Sequence, residues 1–157
     1  MEYTIRSAVI DDLKIIQELN QKLCTKERNE YDNTINSGYP LTAVGEKNYR
    51  NRIKDKNSLS LVAESNNEVI GYVVCGISDA EEHRIIKNVC ELEDVWVDEK
   101  FRGKGIGREF MKQFEEWCRS KNVNKLKIVA SVQNTKVIKL YKEEGYKELD
   151  LVLEKDI

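Results

Sequence analysis

The stretch DEKFRGKGIGREF, residues 98 to 110, constrains the fold of this chain most. Gly103, Gly105 and Gly107 stand at alternate positions, directly after the apolar run DVWV and directly before an amphipathic segment. Glycines grouped this way leave the backbone bare where a strand turns into a helix, so the chain must contain a unit in which the end of a strand delivers a helix N-terminus. Backbone N–H groups exposed there, backed by the positive end of the helix dipole, favour an anion, and a phosphate is the expected guest. Arg102, Lys104 and Arg108 add basic side chains around the run.

The rest of the composition sets the frame. At 157 residues the chain reads as one domain, residues 1 to 157, able to bury roughly 70% of its unfolded surface and so to hold a core and a cleft. It carries 34% charged residues and no apolar run near the ~20 residues of a membrane span. No signal-peptide pattern opens it, and the expected location is cytoplasmic, with no membrane partner. Lys and Arg total 26 against 28 Asp and Glu, which leaves no general attraction to nucleic acid. Cys24, Cys75, Cys90 and Cys118 are widely spaced, and His83 has no Cys or His at ligand spacing, so no metal site is expected and the four cysteines read as small buried or half-buried thiols.

Periodicity supplies the elements. YTIRSAVIDDLKIIQEL reads as a strand, then a helix opened by Asp11 or Asp12, with Leu13, Ile16, Leu19 and Leu23 at helical spacing. A polar loop holding the only proline, Pro40, leads to a short helix around residues 43 to 56. SLSLVAESNNEVIGYVVCGIS is an antiparallel pair turning at Asn66 and Asn67, a dipeptide that tolerates positive φ. NVCELEDVWV is a further strand. The helix after the glycines sets Ile106, Phe110, Phe114 and Trp117 on one stripe. KLKIVASV is the next strand; Asn134 caps a helix that stops at Gly145, and YKELDLVLE forms a last strand. The order β-α-α-β-β-β-α-β-α-β predicts an α/β fold (α+β in some schemes): a mixed, mostly antiparallel sheet with helices on both faces.

Three phosphate sites compete for the glycine run. A P-loop requires GxxxxGK followed by Ser or Thr, and Arg108 follows Gly107. A dinucleotide fingerprint requires GxGxxG in the first βα turn, whereas this chain has GxGxG after its fourth strand. RGKGIG instead matches the Arg/Gln-x-x-Gly-x-Gly/Ala pattern of an acetyltransferase pyrophosphate loop. With NTKVIKLYKEEGY at residues 134 to 146 as a second motif, the chain resembles the GNAT superfamily of N-acetyltransferases over nearly its whole length.

That resemblance implies acetyl-CoA as co-substrate and an amine-bearing small molecule or peptide as acceptor. Backbone groups of Val95, Trp96 and Val97 would engage the pantetheine arm like an added strand. Amides from Gly103 through Lys104, Gly105, Ile106 and Gly107 to Arg108 would cradle the pyrophosphate, with Arg102 beside them, and Asn134 would contact CoA besides capping its helix. Glu93, in a segment similar to the strand of polyamine acetyltransferases that carries such a glutamate, is the candidate base, acting directly or through water. A backbone N–H near Val95 would receive the oxyanion, and Tyr141 would protonate the departing thiolate. Other readings of these residues stay open from spacing: Tyr141 shares a helical face with Val137 and Ile138 as a core tyrosine would, and Glu91 and Glu93 fit a solvated strand face.

Only 12 residues follow Gly145, fewer than many family members use to wall the acceptor pocket, so the tail is expected as one long strand or a very tight pair, and a neighbouring subunit of a homodimer is a candidate to complete the site. The acidic segments EYD at 30 to 32 and DAEE at 79 to 82 are expected to flank the acceptor mouth and to favour a cationic amine. A non-catalytic acyl-CoA sensor on the same fold is the alternative, needing RGKGIG but neither Glu93 nor Tyr141. The lysine-rich stretch at 119 to 127 has no interleaved aromatics and does not read as a nucleic-acid site.

Overall fold

A computed structural model describes residues 2–157. Five strands form one sheet in the order β1-β2-β3-β4-β5, with β1 Thr4–Ser7, β2 Ser58–Ser65, β3 Glu68–Asp79, β4 Asn88–Val97 and β5 Leu126–Ile128. The first four pair antiparallel and β5 joins β4 in parallel, which is the mixed, mostly antiparallel sheet that the element order predicts. Asn66 and Asn67 turn the β2–β3 hairpin with φ of 51° and 62°, the left-handed conformation in which asparagine is least disfavoured.

Helices cover both faces. α1 Leu13–Glu30 and α2 Ala43–Lys54 bury Ile16, Leu19 and Tyr49 against Val62, Tyr72, Val74 and Trp96. α3 Ile106–Ser120 lays Ile106, Phe110, Met111, Phe114 and Cys118 against Leu61, Ala63, Val73, Cys75, Cys90 and Leu92 on the opposite face. Because each face has its own helical layer, the middle of β3 is buried without interruption, Val73 and Cys75 on one side and Tyr72 and Val74 on the other. α4 Thr135–Glu143 begins at Asn134, whose Oδ1 accepts the Val137 N–H, and runs into Gly145 at φ +91°. Asp12 does not cap α1 with its side chain. It is buried instead and accepts two hydrogen bonds from Arg6, at 2.7 and 2.9 Å, and one from the Val9 N–H at 2.8 Å.

Two expectations are corrected. Residues 146 to 157 form no strand: Leu149, Leu151, Val152 and Leu153 are exposed, and β5 stops at Ile128 rather than reaching Val132. The tail keeps the alternation of a strand, but alternation needs a paired edge to become one, and β5 presents only three residues. Cys90 and Cys118 are not separate thiols. They face each other from β4 and α3 with Cα atoms 6.5 Å apart and are joined as a disulfide, which leaves Cys24 and Cys75 free among the described residues.

Candidate active site

The site is built where β4 changes phase. Val74 of β3 lies opposite Asp94 while the next residue, Cys75, lies opposite Leu92, so Glu93 is the extra residue of a β-bulge. A bulge re-aims the side chains after it. Cys90 and Leu92 face α3 before it, Val95 and Val97 face α3 after it, and Trp96 turns to the α1 side. Glu93 and Asp94, consecutive in sequence, meet the helices: Glu93 accepts from Arg52 of α2, and Asp94 accepts from Tyr49 Oη at 3.0 Å.

The opposite edge of β4 opens at the same place. β5 pairs with Cys90, Glu91 and Leu92 only, so no strand lies beside Val95, Trp96 and Val97 on that side. The Val97 carbonyl accepts from Arg102 Nε at 2.9 Å. The side chains of Trp96 and Ile106 face the core, at 7% and 2% exposure, so these two can line a ligand with backbone groups alone.

Beyond β4 a single helical turn, Glu99–Phe101, leads to the glycines. Gly103 and Gly105 hold φ of +76° and +87°, the left-handed region where a Cβ is costly, and Gly105 directly precedes α3. A Cβ on Gly103 or on Gly107 would meet nothing within 4 Å, so open space lies over the head of α3, where the first-turn amides have no helical acceptor. That bare run of backbone N–H groups suits a pyrophosphate. The neighbouring cations are already engaged: the Arg102 guanidinium stacks 4.5 Å from the Trp96 ring centroid and bonds Glu99, Lys104 lies 5.3 Å from the Phe101 ring centroid, and Arg108 joins Glu143, the last residue of α4, at 3.2 Å and Glu144 just beyond it at 3.1 Å.

Tyr141 packs against the α3-side core, its ring centroid 5.9 Å from that of Tyr146, and its hydroxyl makes no hydrogen bond to the described residues. Burial raises its pKa, and the charge of Glu27 adds to the rise. Glu27, near the end of α1, is itself raised by burial and by the charge of Asp94. Burial raises Asp94 against the hydrogen bonds of Tyr49 and Asn20, and burial also raises Glu93 against the charge of Arg52. Behind them Asn20 Nδ2 donates to Tyr72 Oη at 2.6 Å, and the Cys24 thiol, pushed up to about 11 by burial, bonds Asn20 at 3.3 Å.

Sequence reasoning missed Asp94, Glu27, Tyr49 and Arg52. A signal for Asp94 was present: in CELEDVWV the inward positions move from even numbers (90, 92) to odd (95, 97), and the break falls at Glu93 and Asp94. Nothing in sequence marks Arg52. The two acidic segments do not share one mouth: Glu30, Tyr31 and Asp32 line a groove with Glu154, Lys155 and Asp156, whereas Asp79 lines another with Asn57, Asn88 and Lys121. Among the described residues, no helix is long and apolar enough to cross a membrane and no group of three or more His, Cys, Asp and Glu side chains could hold a metal ion.

Known proteins resemble the chain in sequence and in fold. The profile of the Acetyltransferase (GNAT) family matches residues 19–146. An uncharacterized N-acetyltransferase of Methanocaldococcus jannaschii is 27% identical over 153 residues, 96% of this chain and 63% of that protein. An uncharacterized protein of Bacillus subtilis is 28% identical over 61 residues, 39% of this chain and 37% of its own length. The chain therefore spans less than two thirds of either relative. Among solved structures, a predicted acetyltransferase of Clostridium acetobutylicum with acetyl-CoA superposes with a TM-score of 0.80 at 18% identity, covering 99% of this chain and 96% of the other. A mutant form of a Bacillus halodurans protein superposes with a TM-score of 0.84 at 18% identity, covering 98% and 99%. An aminoglycoside N-acetyltransferase in complex with CoA superposes at 0.73 with 19% identity, covering 98% of each chain.

Proposed function

The chain belongs to the acetyltransferase (GNAT) family, and on that premise we propose that it transfers the acetyl group of acetyl-CoA to a primary amine by direct attack in a ternary complex. The observation that carries the proposal is the bulge: it displaces Glu93 from the β3 ladder just where β4 loses β5, so a carboxylate and an open strand edge fall at one level of the sheet.

The donor lies along Val95, Trp96 and Val97, with its pyrophosphate over the amides of residues 103 to 108 and Asn134 at its side. Fixed N–H dipoles there carry the anionic donor, since Arg102 and Arg108 are already paired with carboxylates. An alkylammonium of pKa ~10.4 has no lone pair at neutral pH. Glu93 takes its proton, directly or through one water, and burial makes this carboxylate a better base than an exposed one. The freed nitrogen attacks the thioester carbonyl, a backbone N–H near Val95 receives the oxyanion, the C–S bond breaks as the Tyr141 hydroxyl protonates the sulfur, and the second proton shed by the nitrogen restores the Tyr141 hydroxyl through solvent. A hydroxyl free of hydrogen bonds to the described residues supports that last role over a purely structural one. Glu27, Asp94 and Glu93 concentrate negative charge on the acceptor side, which favours a cationic amine.

A panel of amines, assayed for free CoA released from acetyl-CoA, tests the proposal, with Gly105→Asp as the control that places a carboxylate and a Cβ in the pyrophosphate cradle. Release with at least one amine, lost in a folded Gly105→Asp protein, is the expected result. Tight acetyl-CoA binding with no release for any amine would assign a sensor instead.

A further inference from the structure

The ion pair between Arg52 and Glu93 is held by more than its two charges. Arg52 lies in the last turn of α2, Ser58 opens β2, Gly76 lies on β3, and Glu93 is the bulged residue of β4. Arg52 Nη1 donates to Ser58 Oγ at 3.2 Å and Nη2 donates to Glu93 Oε1. Both groups rest on Gly76: a Cβ there would fall 2.7 Å from Glu93 Oε1 and 2.8 Å from Arg52 Nη1. The other carboxylate oxygen of Glu93 makes no hydrogen bond to the described residues.

We propose that Arg52 is the positioning residue of the Glu93 base: seated over Gly76 and anchored by Ser58, its guanidinium fixes one carboxylate oxygen of Glu93 and leaves the other for the acceptor amine. The proposal rests on the assignment of Glu93 as base.

The groups facing Glu93 come from three elements. Asp94 and Glu91 of its own strand oppose its charge, Arg52 of α2 favours it, and the Cys75 thiol of β3 is disfavoured from ionising by Glu93 in turn. Glu91 is itself tied to Lys127 of β5 at 3.1 Å. Burial and two carboxylates thus favour the neutral form of Glu93, and Arg52 counters them by favouring the ionised form that can accept a proton. A guanidinium suits the task because its planar fork serves Ser58 and Glu93 from separate nitrogens while remaining charged at every working pH. Gly76 is needed for space rather than for backbone freedom, since its φ lies outside the left-handed region.

Carbon-13 NMR of the full chain, labelled at glutamate Cδ, tests this without an acceptor. The Glu93 resonance is identified by its loss in Glu93→Gln. In Arg52→Gln, which keeps hydrogen-bonding atoms but loses the charge, the Glu93 titration midpoint is expected to move up. In Gly76→Ala, which changes no charge but crowds both partners, it should move the same way, and in Arg52→Lys, which keeps the charge but loses the fork, it should lie between wild type and Arg52→Gln. Midpoints unchanged in both Arg52→Gln and Gly76→Ala would overturn the proposal. The base assignment fails separately, if Glu93→Gln releases CoA in the amine panel at the wild-type rate.

Discussion

Gly105 and Gly107 lie two residues apart at the head of α3, the first as its N-cap and the second in its first turn, and the structure gives their alanine variants opposite effects on stability. At Gly105 the space is free, the nearest atom to an added Cβ being Tyr3 Oη at 3.8 Å, so the cost of Gly105→Ala comes from φ = +87° alone. A left-handed alanine costs roughly 1–2 kcal/mol, offset in part by the ~0.4–1 kcal/mol that alanine removes from the unfolded chain's entropy. A net loss of about 1 kcal/mol follows. Gly107 is inside α3, has no positive φ, and would meet nothing within 4 Å. Gly107→Ala therefore gains ~0.5–1 kcal/mol from helix propensity. At about 2–4 °C per kcal/mol for a chain of this size, the two variants should melt roughly 3–8 °C apart, Gly107→Ala above wild type and Gly105→Ala below it. Donor binding should follow a different order. If the pyrophosphate fills the space above Gly107, the new methyl displaces at least one charge-assisted amide contact worth ~1.5–3 kcal/mol, and acetyl-CoA affinity falls roughly 10- to 100-fold in the more stable protein. Differential scanning calorimetry and isothermal titration calorimetry on the same samples read both quantities. A stabilised Gly107→Ala that binds acetyl-CoA as tightly as wild type would refute the placement of the pyrophosphate at this helix N-terminus, and a Gly105→Ala as stable as wild type would refute the strain argument.

Tyr141→Phe keeps the ring against Tyr146 and removes a hydroxyl that makes no hydrogen bond to the described residues, so melting should hardly move while kcat falls by roughly 10²-fold or more; full activity would remove Tyr141 from the mechanism. Asp12→Asn should cost about 1 kcal/mol at pH 7, a figure already reduced for the part-exposed Arg6 guanidinium. Because Arg6 holds the folded Asp12 carboxyl below its ordinary value, that contribution is present above about pH 4 and disappears as pH falls through the folded pKa, so urea melts of wild type and Asp12→Asn should converge on acidification. A gap that persists in strong acid would contradict the assignment to this ion pair.

Much of the fold was open to reading because each element carries its own period or punctuation. The stripe Ile106, Phe110, Phe114, the Asn66–Asn67 turn, the Asn134 cap and Gly145 are local devices, and their geometry is decided by the residues themselves. The glycine loop belongs with them, since an unhindered backbone and a following helix are local facts. Partner choice was not open in this way. YKELDLVLE has the alternation of a strand and no strand to pair with, Cys90 and Cys118 meet only because β4 and α3 pack face to face, and Arg52 reaches Glu93 only because α2 ends over Gly76 of β3, which has no side chain to obstruct it. A single chain pattern states what a segment would bury or cap, but not which distant segment supplies the other half. The glycine loop could therefore be placed from sequence, whereas the carboxylates of β4 acquired their neighbours, and their raised pKa values, only when α1, α2 and the bulge closed over them.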